Sequence, residues 1–190
     1  VLFERISAEC NFWTIFSNSL ALDTIPSAAW NQLKQFNRLL SDLRVGAIDQ
    51  TQLSHILEAT VEVALRKLRG QYPTPMPLAR LLVQLCIRDT VDDRMLDPCC
   101  GSGTIARAAL EQKLAAGVPF EQAAATVFAG DQDPQAVQIA TFALAKPGLM
   151  HLPIRIFQRD AFTLEPNTAI VLRNPTDGSE FSETLGQFEA

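Results

Sequence analysis

The residues of this chain that could do chemistry stand at the ends of successive predicted strands. Asp97, Asp131, Asp160 and Asn174 each close a short, mainly apolar segment. In an open α/β sheet the carboxyl ends of parallel strands form one binding crevice. Carboxylates at that edge can accept hydrogen bonds from ribose hydroxyls or from a nucleobase amine. One such residue alone is usually a cap or a turn residue, but four in succession predict a common cleft.

A glycine turn follows the first of these strands. The segment DPCCGSGT, residues 97–104, has the pattern of a strand, a tight turn and a helix, and Gly101 and Gly103 leave space for a ligand near the backbone. The turn lacks the spacing and the Lys of a phosphate-binding P-loop. It also lacks the third glycine of the dinucleotide fingerprint. Its spacing alone fits a structural turn without a ligand equally well.

The four cysteines do not indicate a metal centre. Cys99 and Cys100 are adjacent, whereas the two members of a zinc-binding pair are usually separated in sequence. Cys10 and Cys86 each stand apart from any other cysteine. We therefore predict reduced thiols in a cytoplasmic protein, no metal site, and a plain packing role for the two cysteines of the turn.

The composition excludes few functions. The formal net charge of −5 gives no global sign of nucleic-acid binding, so a local basic patch or a partner would have to supply the positive field. No apolar run is long enough to span a membrane, and no signal peptide is recognisable. The chain begins with Val1 rather than Met, which favours a piece of a longer protein.

The first part of the chain has the pattern of helices. Residues 1–70 carry apolar residues at helical spacing, and they form the predicted helical N-terminal domain. One helix is predicted to start at Pro26 and Ser27. Another is predicted over residues 53–69, with Gly70 ending it.

The second part of the chain alternates strands with helices. Thr74 is predicted to cap the first of these helices, with Pro75 in its first turn. The alternation through residues 71–190 predicts a parallel α/β sheet with helical crossovers. The polar tail after Asn174 has little strand signal, so the sheet is predicted to be truncated after its fourth strand. The four strands are predicted at residues 94–96, 127–129, 154–158 and 169–172.

Five segments in order resemble a known enzyme family. GQYPTP, LDPCCGSGT, AGDQDPQAV, RDAF and VLRNP are similar to motifs of S-adenosylmethionine-dependent methyltransferases of the amino-group class. The resemblance covers residues 66–176 and is strongest to N6-adenine DNA methyltransferases, especially modification subunits of type I restriction systems. It implies a Rossmann-like class I methyltransferase sheet and S-adenosyl-L-methionine as the cofactor. A similar D-P-x-C-G-S-G-T segment occurs in enzymes that methylate guanine in structured RNA, so the nucleic acid stays open.

The resemblance also implies which residues surround the cofactor: Tyr72, Thr74, Asp97, Gly101, Ser102, Gly103, Asp131, Gln132, Asp160 and Phe162. The first two would contact its methionine end, and the glycine turn with Asp97 would shape the methionine pocket. Asp131 would take the ribose hydroxyls, and Gln132 would lie beside the adenine. Asp160 would accept from the adenine amine, with Phe162 stacking nearby.

The catalytic segment departs from the family pattern. Asn174 and Pro175 match the first two members of Asn/Asp-Pro-Pro-aromatic, whose side chain and carbonyl accept from the target amine. Thr176 and Asp177 replace the second proline and the aromatic residue that stacks on a flipped base. Phe181 is the nearest aromatic substitute.

Three functions remain open from the sequence. The first is methylation of the adenine N6 amine in DNA, with a separate specificity subunit or a further recognition region bringing the DNA, and hence a possible hetero-oligomer. The second is methylation of an RNA base or a protein amide. The third is a non-catalytic, methyltransferase-like module that binds partners through its helical N-terminal region.

Overall fold

A computed structural model describes residues 26–42, 72–145, 152–173 and 179–187 of the chain. Most of the predicted N-terminal helical domain therefore lies outside the described residues, as does the catalytic pair Asn174 and Pro175. Among the helices that are described, none is both long and apolar enough to cross a membrane.

The described elements follow the predicted alternation of strands and helices, and their bounds are listed here in chain order. They are α1 (Ser27–Asp42), α2 (Met76–Cys86), β1 (Met95–Asp97), α3 (Thr104–Ala115), α4 (Phe120–Thr126), β2 (Val127–Asp131), α5 (Pro134–Leu144), β3 (Arg155–Gln158), a 3-10 turn (Ala161–Thr163), β4 (Ala169–Arg173) and β5 (Glu180–Thr184). The predicted start of a helix after Pro26 and the four predicted strands are confirmed within one or two residues.

The start of α2 differs from the prediction. Thr74 does not cap the helix; the cap position is Pro75, and no side chain hydrogen-bonds there. The carbonyl of Pro75 instead accepts from the backbone N–H groups of Leu78 and Ala79, both at 3.0 Å. Proline provides the extended backbone that precedes a helix, so the turn begins one residue later than a threonine cap would place it.

The first three strands form a parallel sheet in the order β1-β2-β3. Asp97 stands opposite Ala129, and Asp131 stands opposite Gln158, so the carboxyl ends of the strands share one edge. Parallel strands need crossovers, and α3, α4 and α5 supply them. This arrangement confirms the predicted α/β, Rossmann-like fold class.

Each face of this sheet has its own core because side chains alternate along a strand. Ala129 and Ile156 point to the face covered by the helices, where Ala109 and Ala140 pack against them. Phe128 and Phe157 point to the opposite face. Small alanines on the helix side let α3 and α5 approach the strands closely.

The fourth strand corrects the prediction in two ways. β4 does not extend the parallel ladder but pairs antiparallel with β5, in a separate two-stranded sheet. The polar tail predicted to lack a strand therefore contains one. Residues 174–179 between the two strands are too few for a crossover, which takes a dozen residues or more, so a hairpin is the available connection.

The β4–β5 hairpin covers the second face of the parallel sheet. Ile170, Leu172 and Leu185 pack there against Phe128 and Phe157. An ion pair lies beside them, with Arg155 Nε 2.8 Å from Glu183 Oε2. The guanidinium of Arg155 also lies over the ring of Phe128, 5.8 Å from its centroid.

Candidate functional site

The glycine turn connects β1 to α3 through two residues in the left-handed region. Gly101 has φ 52° and Gly103 has φ 83°, values that side chains with a Cβ rarely adopt. A Cβ on Gly103 would lie 3.0 Å from both Ala140 Cβ and Leu144 Cδ1, so this glycine lets α3 pack on α5. A Cβ on Gly101 would meet nothing within 4 Å. The open space is therefore at Gly101, on the side where a ligand could reach the backbone.

Asp131 ties this turn to the loop after β2. The backbone N–H of Gly101 donates to Oδ2 of Asp131 at 2.9 Å, and the N–H of Asp133 donates to Oδ1 at 2.9 Å. The N–H of Cys100 donates to the carbonyl of Gly130 at 2.8 Å. Each carboxylate oxygen can accept a further hydrogen bond. Asp131 thus holds the turn in place and keeps capacity for the predicted ribose hydroxyls.

Asp97 is the least satisfied polar residue at this edge. Its side chain is 8% exposed, and its Oδ2 has no hydrogen-bond partner among the described residues. Its Oδ1 accepts only a long bond, 3.4 Å, from the N–H of Cys99. The pKa of Asp97 is raised to about 6, mainly by burial and to a smaller extent by the nearby charge of Asp131, while the N–H of Cys99 acts in the lowering direction. A buried carboxylate oxygen without a donor favours a cationic ligand group beside it.

The three predicted carboxylates stand at the carboxyl ends of adjacent parallel strands: Asp97 ends β1, Asp131 ends β2, and Asp160 follows the last residue of β3 by two positions. The pKa of the exposed thiol of Cys99 is raised by burial of the sulfur and then by the charges of Asp131, Asp97 and Asp160. Residues 97, 131 and 160 are far apart in sequence, and the parallel strands bring them to one edge of the sheet, where the N–H of Arg159 donates to the carbonyl of Asp131 at 2.9 Å. Their contacts with a ligand stay predictions.

Asp160 organises the turn after β3. Its Oδ1 accepts from the N–H of Phe162 at 3.0 Å and caps the short 3-10 turn. The ring of Phe162 is fully exposed, at 100% of its surface. An aromatic ring left wholly in water beside a carboxylate is consistent with a surface for stacking a base, which remains its predicted role.

The other predicted residues have known positions without a tested role. Ser102 Oγ lies 3.3 Å from Thr104 Oγ1 within the turn, and the exposed Gln132 accepts at its carbonyl from Gln158 Nε2 at 3.2 Å. Tyr72 is exposed and Thr74 is half-buried in the segment before α2. Their contacts with the cofactor stay predictions, as do those of Asn174 and Pro175, which lie outside the described residues.

Sequence reasoning missed one residue that shapes this edge. Asp133 caps α5, accepting from the N–H of Gln135 at 2.9 Å, and its own N–H donates to Asp131. Asp followed by Pro134 at the first helical position is a recognisable helix start. The Asp133-Pro134 pair therefore indicates a helix start directly after Asp131, where the backbone N–H of Asp133 can hold the carboxylate of Asp131.

Comparison with known proteins decides the family. Residues 65–179, more than half of the chain, match the family described as UPF0020, the RMKL-like methyltransferase domain. The chain belongs to this family. The assignment confirms the prediction of a methyltransferase domain.

Other comparisons add little to this assignment. No curated protein matches the chain significantly. Among solved structures, the candidate methyltransferase SMU.472, in complex with SAH, is similar at 19% sequence identity with a TM-score of 0.33. The similarity covers 52% of this chain and 34% of that one, so the chain spans about a third of the length of that structure.

Proposed function

We propose that this methyltransferase domain binds S-adenosyl-L-methionine at the carboxyl edge of β1, β2 and β3 and methylates an exocyclic amine of a nucleic-acid base. The observation that supports it most is the position of Asp97, Asp131 and Asp160 at the carboxyl ends of adjacent parallel strands, beside the open space at Gly101. The family assignment supports methyl transfer as the chemistry.

The charges of this edge suit the proposed cofactor. S-adenosyl-L-methionine would supply an electrophilic methyl group on its sulfonium: the bond from carbon to the amine nitrogen would form as the carbon–sulfur bond breaks, leaving a neutral thioether, and the nitrogen would lose a proton to water. The buried Oδ2 of Asp97, which has no partner among the described residues, supports this proposal, because it would accept from the ammonium of the methionine part. Asp131 accepts from the ribose hydroxyls, and Asp160 accepts from the adenine amine.

The acceptor end of the domain follows β4. Asn174 and the carbonyl of Pro175 accept from the target amine and orient its nitrogen lone pair toward the methyl group. Phe181 of β5, which stands opposite Leu172 of β4 and is 37% exposed, is the aromatic candidate for contact with the base.

Two nucleic acids are candidates for the substrate. The five ordered segments favour the N6 amine of adenine in DNA, with recognition left to a separate specificity subunit. Membership in the RMKL-like family, which is typically RNA-related, favours an RNA base. The Cys100 form of the turn, D-P-x-C-G-S-G-T, agrees with the second candidate.

Titration separates the proposal from its alternatives. Isothermal titration of the full chain with S-adenosyl-L-methionine should show binding, and absence of binding at millimolar cofactor by a folded sample would reject the proposal. Transfer of a radiolabelled methyl group should then be measured on structured RNA, duplex DNA and a protein lysate. Label in RNA or DNA selects the substrate, label in protein alone contradicts a base as the acceptor, and binding with no transfer indicates a non-catalytic module.

A further inference from the structure

The 3-10 turn after β3 has little packing to hold it in place. It comprises Ala161–Thr163, and none of its residues is buried. Leu164, which directly follows the turn, packs against the core beneath the hairpin and fixes only the point where the chain leaves the turn. A short 3-10 turn is held by few and poorly aligned hydrogen bonds of its own. Its orientation therefore depends on contacts from neighbouring side chains.

Arg159 makes such contacts on both sides of the turn. Its backbone N–H donates to the carbonyl of Asp131 at 2.9 Å, which fixes Arg159 at the end of the parallel ladder. Its guanidinium donates from Nε to Thr163 Oγ1 at 3.2 Å and from Nη1 to the carbonyl of Ala169 at 3.3 Å. Because the donors of a guanidinium form a rigid fork, they hold two acceptors in a fixed geometry. Arg159 therefore joins the end of β2, the turn and the start of β4.

Thr163 connects Arg159 to Asp160. The hydroxyl of Thr163 donates to the carbonyl of Asp160 at 2.7 Å, and its N–H donates to the same carbonyl at 3.0 Å. The carboxylate of Asp160 accepts through Oδ1 from the N–H of Phe162 at 3.0 Å. The guanidinium of Arg159 donates to neutral oxygens, a hydroxyl and a carbonyl, rather than to this carboxylate. Oδ2 of Asp160 is therefore available for a ligand amine.

We propose that Arg159 is a positioning residue for the adenine of the cofactor, an inference that rests on the proposed cofactor site. Arg159 acts through the turn rather than by contact with the ligand: it sets the direction of the Asp160 carboxylate and the position of the exposed Phe162 ring. The carboxylate accepts from the N6 amine of adenine. A base with a carbonyl oxygen at that position would bring two acceptors together, which is unfavourable. Arg159 thus determines how well the site distinguishes the two bases.

Two ligands that differ at this position test the proposal. S-adenosyl-L-homocysteine has the amine, S-inosyl-L-homocysteine has a carbonyl oxygen in its place, and both have the same net charge. Isothermal titration should show that the wild-type chain binds the adenosyl compound roughly tenfold more tightly. Arg159→Met keeps the aliphatic stem and removes the donors. It should weaken binding of the adenosyl compound roughly five- to tenfold and leave binding of the inosyl compound within about twofold.

Arg94→Met is the matched control. Arg94 also donates to a carbonyl of the hairpin, that of Thr184 at 3.5 Å. It precedes β1 and therefore lies at the edge of the parallel sheet opposite the turn. This control should leave the ratio of the two affinities unchanged, even if the loss of a hairpin contact lowers stability.

Thr163→Val covers the case in which Arg159→Met does not fold. Valine has the shape of threonine but lacks the hydroxyl that connects Arg159 to Asp160. This variant should lower the preference for the adenosyl compound roughly threefold. An unchanged preference would contradict the proposed connection.

The remaining outcomes also overturn the inference. Equal weakening of both compounds in Arg159→Met means a general structural role, and unchanged affinities mean that Arg159 does not position the turn. A wild type that binds both compounds equally well does not recognise the amine, so the inference fails while the cofactor site stands. A wild type that binds neither compound rejects the proposed cofactor site itself.

Discussion

The carboxyl edge of the parallel sheet and the β4–β5 hairpin are held in place by different interactions. At the edge, backbone groups make the contacts: Cys100 donates to Gly130, and Gly101 donates to Asp131. The hairpin is held mainly by apolar side chains on Phe128 and Phe157, together with an ion pair between Arg155 and Glu183 and hydrogen bonds from Arg94 and Arg159 to its backbone carbonyls. Backbone contacts depend on dihedral angles, whereas side-chain packing depends mainly on volume and burial.

This difference separates two kinds of sensitivity. Changes at the edge should alter both stability and cofactor affinity, because the same turn that packs α3 on α5 also shapes the ligand site. Changes in the hairpin should alter stability but not cofactor affinity, because no predicted cofactor residue lies in β4 or β5; Phe181 of β5 concerns only the proposed contact with the target base. Substitutions at the edge and in the hairpin therefore test whether cofactor affinity depends on the edge alone.

The largest effect is expected for Gly103→Ala. The new Cβ would lie 3.0 Å from Ala140 and Leu144, at a φ of 83° that favours glycine. Strain and contact together should lower the free energy of unfolding by about 2–4 kcal/mol. Urea denaturation followed by circular dichroism measures it.

Gly101→Ala is the control for this prediction, since it shares the positive φ but would meet nothing within 4 Å. Its loss should be only about 1–2 kcal/mol. Equal losses for both variants would mean that the packing of α3 on α5 does not require Gly103.

Asp97→Asn should weaken cofactor binding while leaving the fold intact. Asparagine keeps the shape but removes the charge that faces the ammonium, so a loss of about 1.5–3 kcal/mol, or roughly ten- to hundredfold in Kd, is expected. Isothermal titration measures it. Asp92→Asn, at an exposed position before β1, is the charge-matched control and should bind normally. Equal affinity of the two variants would remove Asp97 from the site.

The pKa of Asp97, about 6, predicts a pH dependence of binding. Below that pH the carboxyl is protonated and no longer attracts a cation. The ionised fraction falls about tenfold between pH 7 and pH 5, so cofactor affinity should fall by a similar factor. The Asp97→Asn variant should lack this step, and a wild-type affinity that is flat over this range would contradict the assignment.

Ionisation of Asp97 should affect the free energy of unfolding in the opposite direction to its effect on cofactor affinity. The folded state binds the proton of Asp97 more tightly than the unfolded state, whose carboxyl has the ordinary pKa of 3.8. The contribution of Asp97 to the free energy of unfolding therefore falls as pH rises from about 4 to 6. Comparing the wild type with Asp97→Asn by urea denaturation isolates it.

The sequence predicts the edge well because each of its elements is locally determined. Gly101 and Gly103 specify a tight turn. If the strands are parallel, the carboxylates at their ends must lie along one edge of the sheet. The sequence cannot show that Oδ2 of Asp97 is buried without a partner. That property depends on how α3, β1 and β2 pack together.

The hairpin was not predicted because its last strand, β5, contains few apolar residues. β5 reads EFSET, and its residues are exposed or half-buried, so hydrogen bonds to β4 rather than burial define it. Leu185, which directly follows the strand, is almost fully buried, and this apolar residue is the feature of the sequence that could have indicated β5. Thr74 was predicted as a cap from residue type alone, and the neighbouring prolines prevail over that preference.

Glu183→Gln should lower stability modestly and leave the site unchanged. The carboxylate accepts from Arg155 Nε at 2.8 and 3.0 Å, and both side chains keep some exposure. Loss of this pair should cost about 0.5–1.5 kcal/mol in the free energy of unfolding. Cofactor affinity measured by titration should stay within twofold. A large change in affinity would show that the hairpin and the edge are coupled.

Alkylation of Cys99 should report the edge directly, with the smallest effect of the series. Burial and three carboxylates raise the pKa of its thiol, which lowers the thiolate fraction that reacts with iodoacetamide. Cys86, exposed at the end of α2, is the reference thiol in the same molecule. Peptide mass spectrometry at pH 8 should show Cys99 reacting several-fold more slowly than Cys86.

Two changes should alter the reaction of Cys99 alone. Asp160→Asn should speed it, because the variant removes one of the three charges, and added cofactor should slow it, because the cofactor fills the cleft. Equal changes at both thiols would indicate a global opening of the fold and would remove the distinction between the edge and the rest of the molecule.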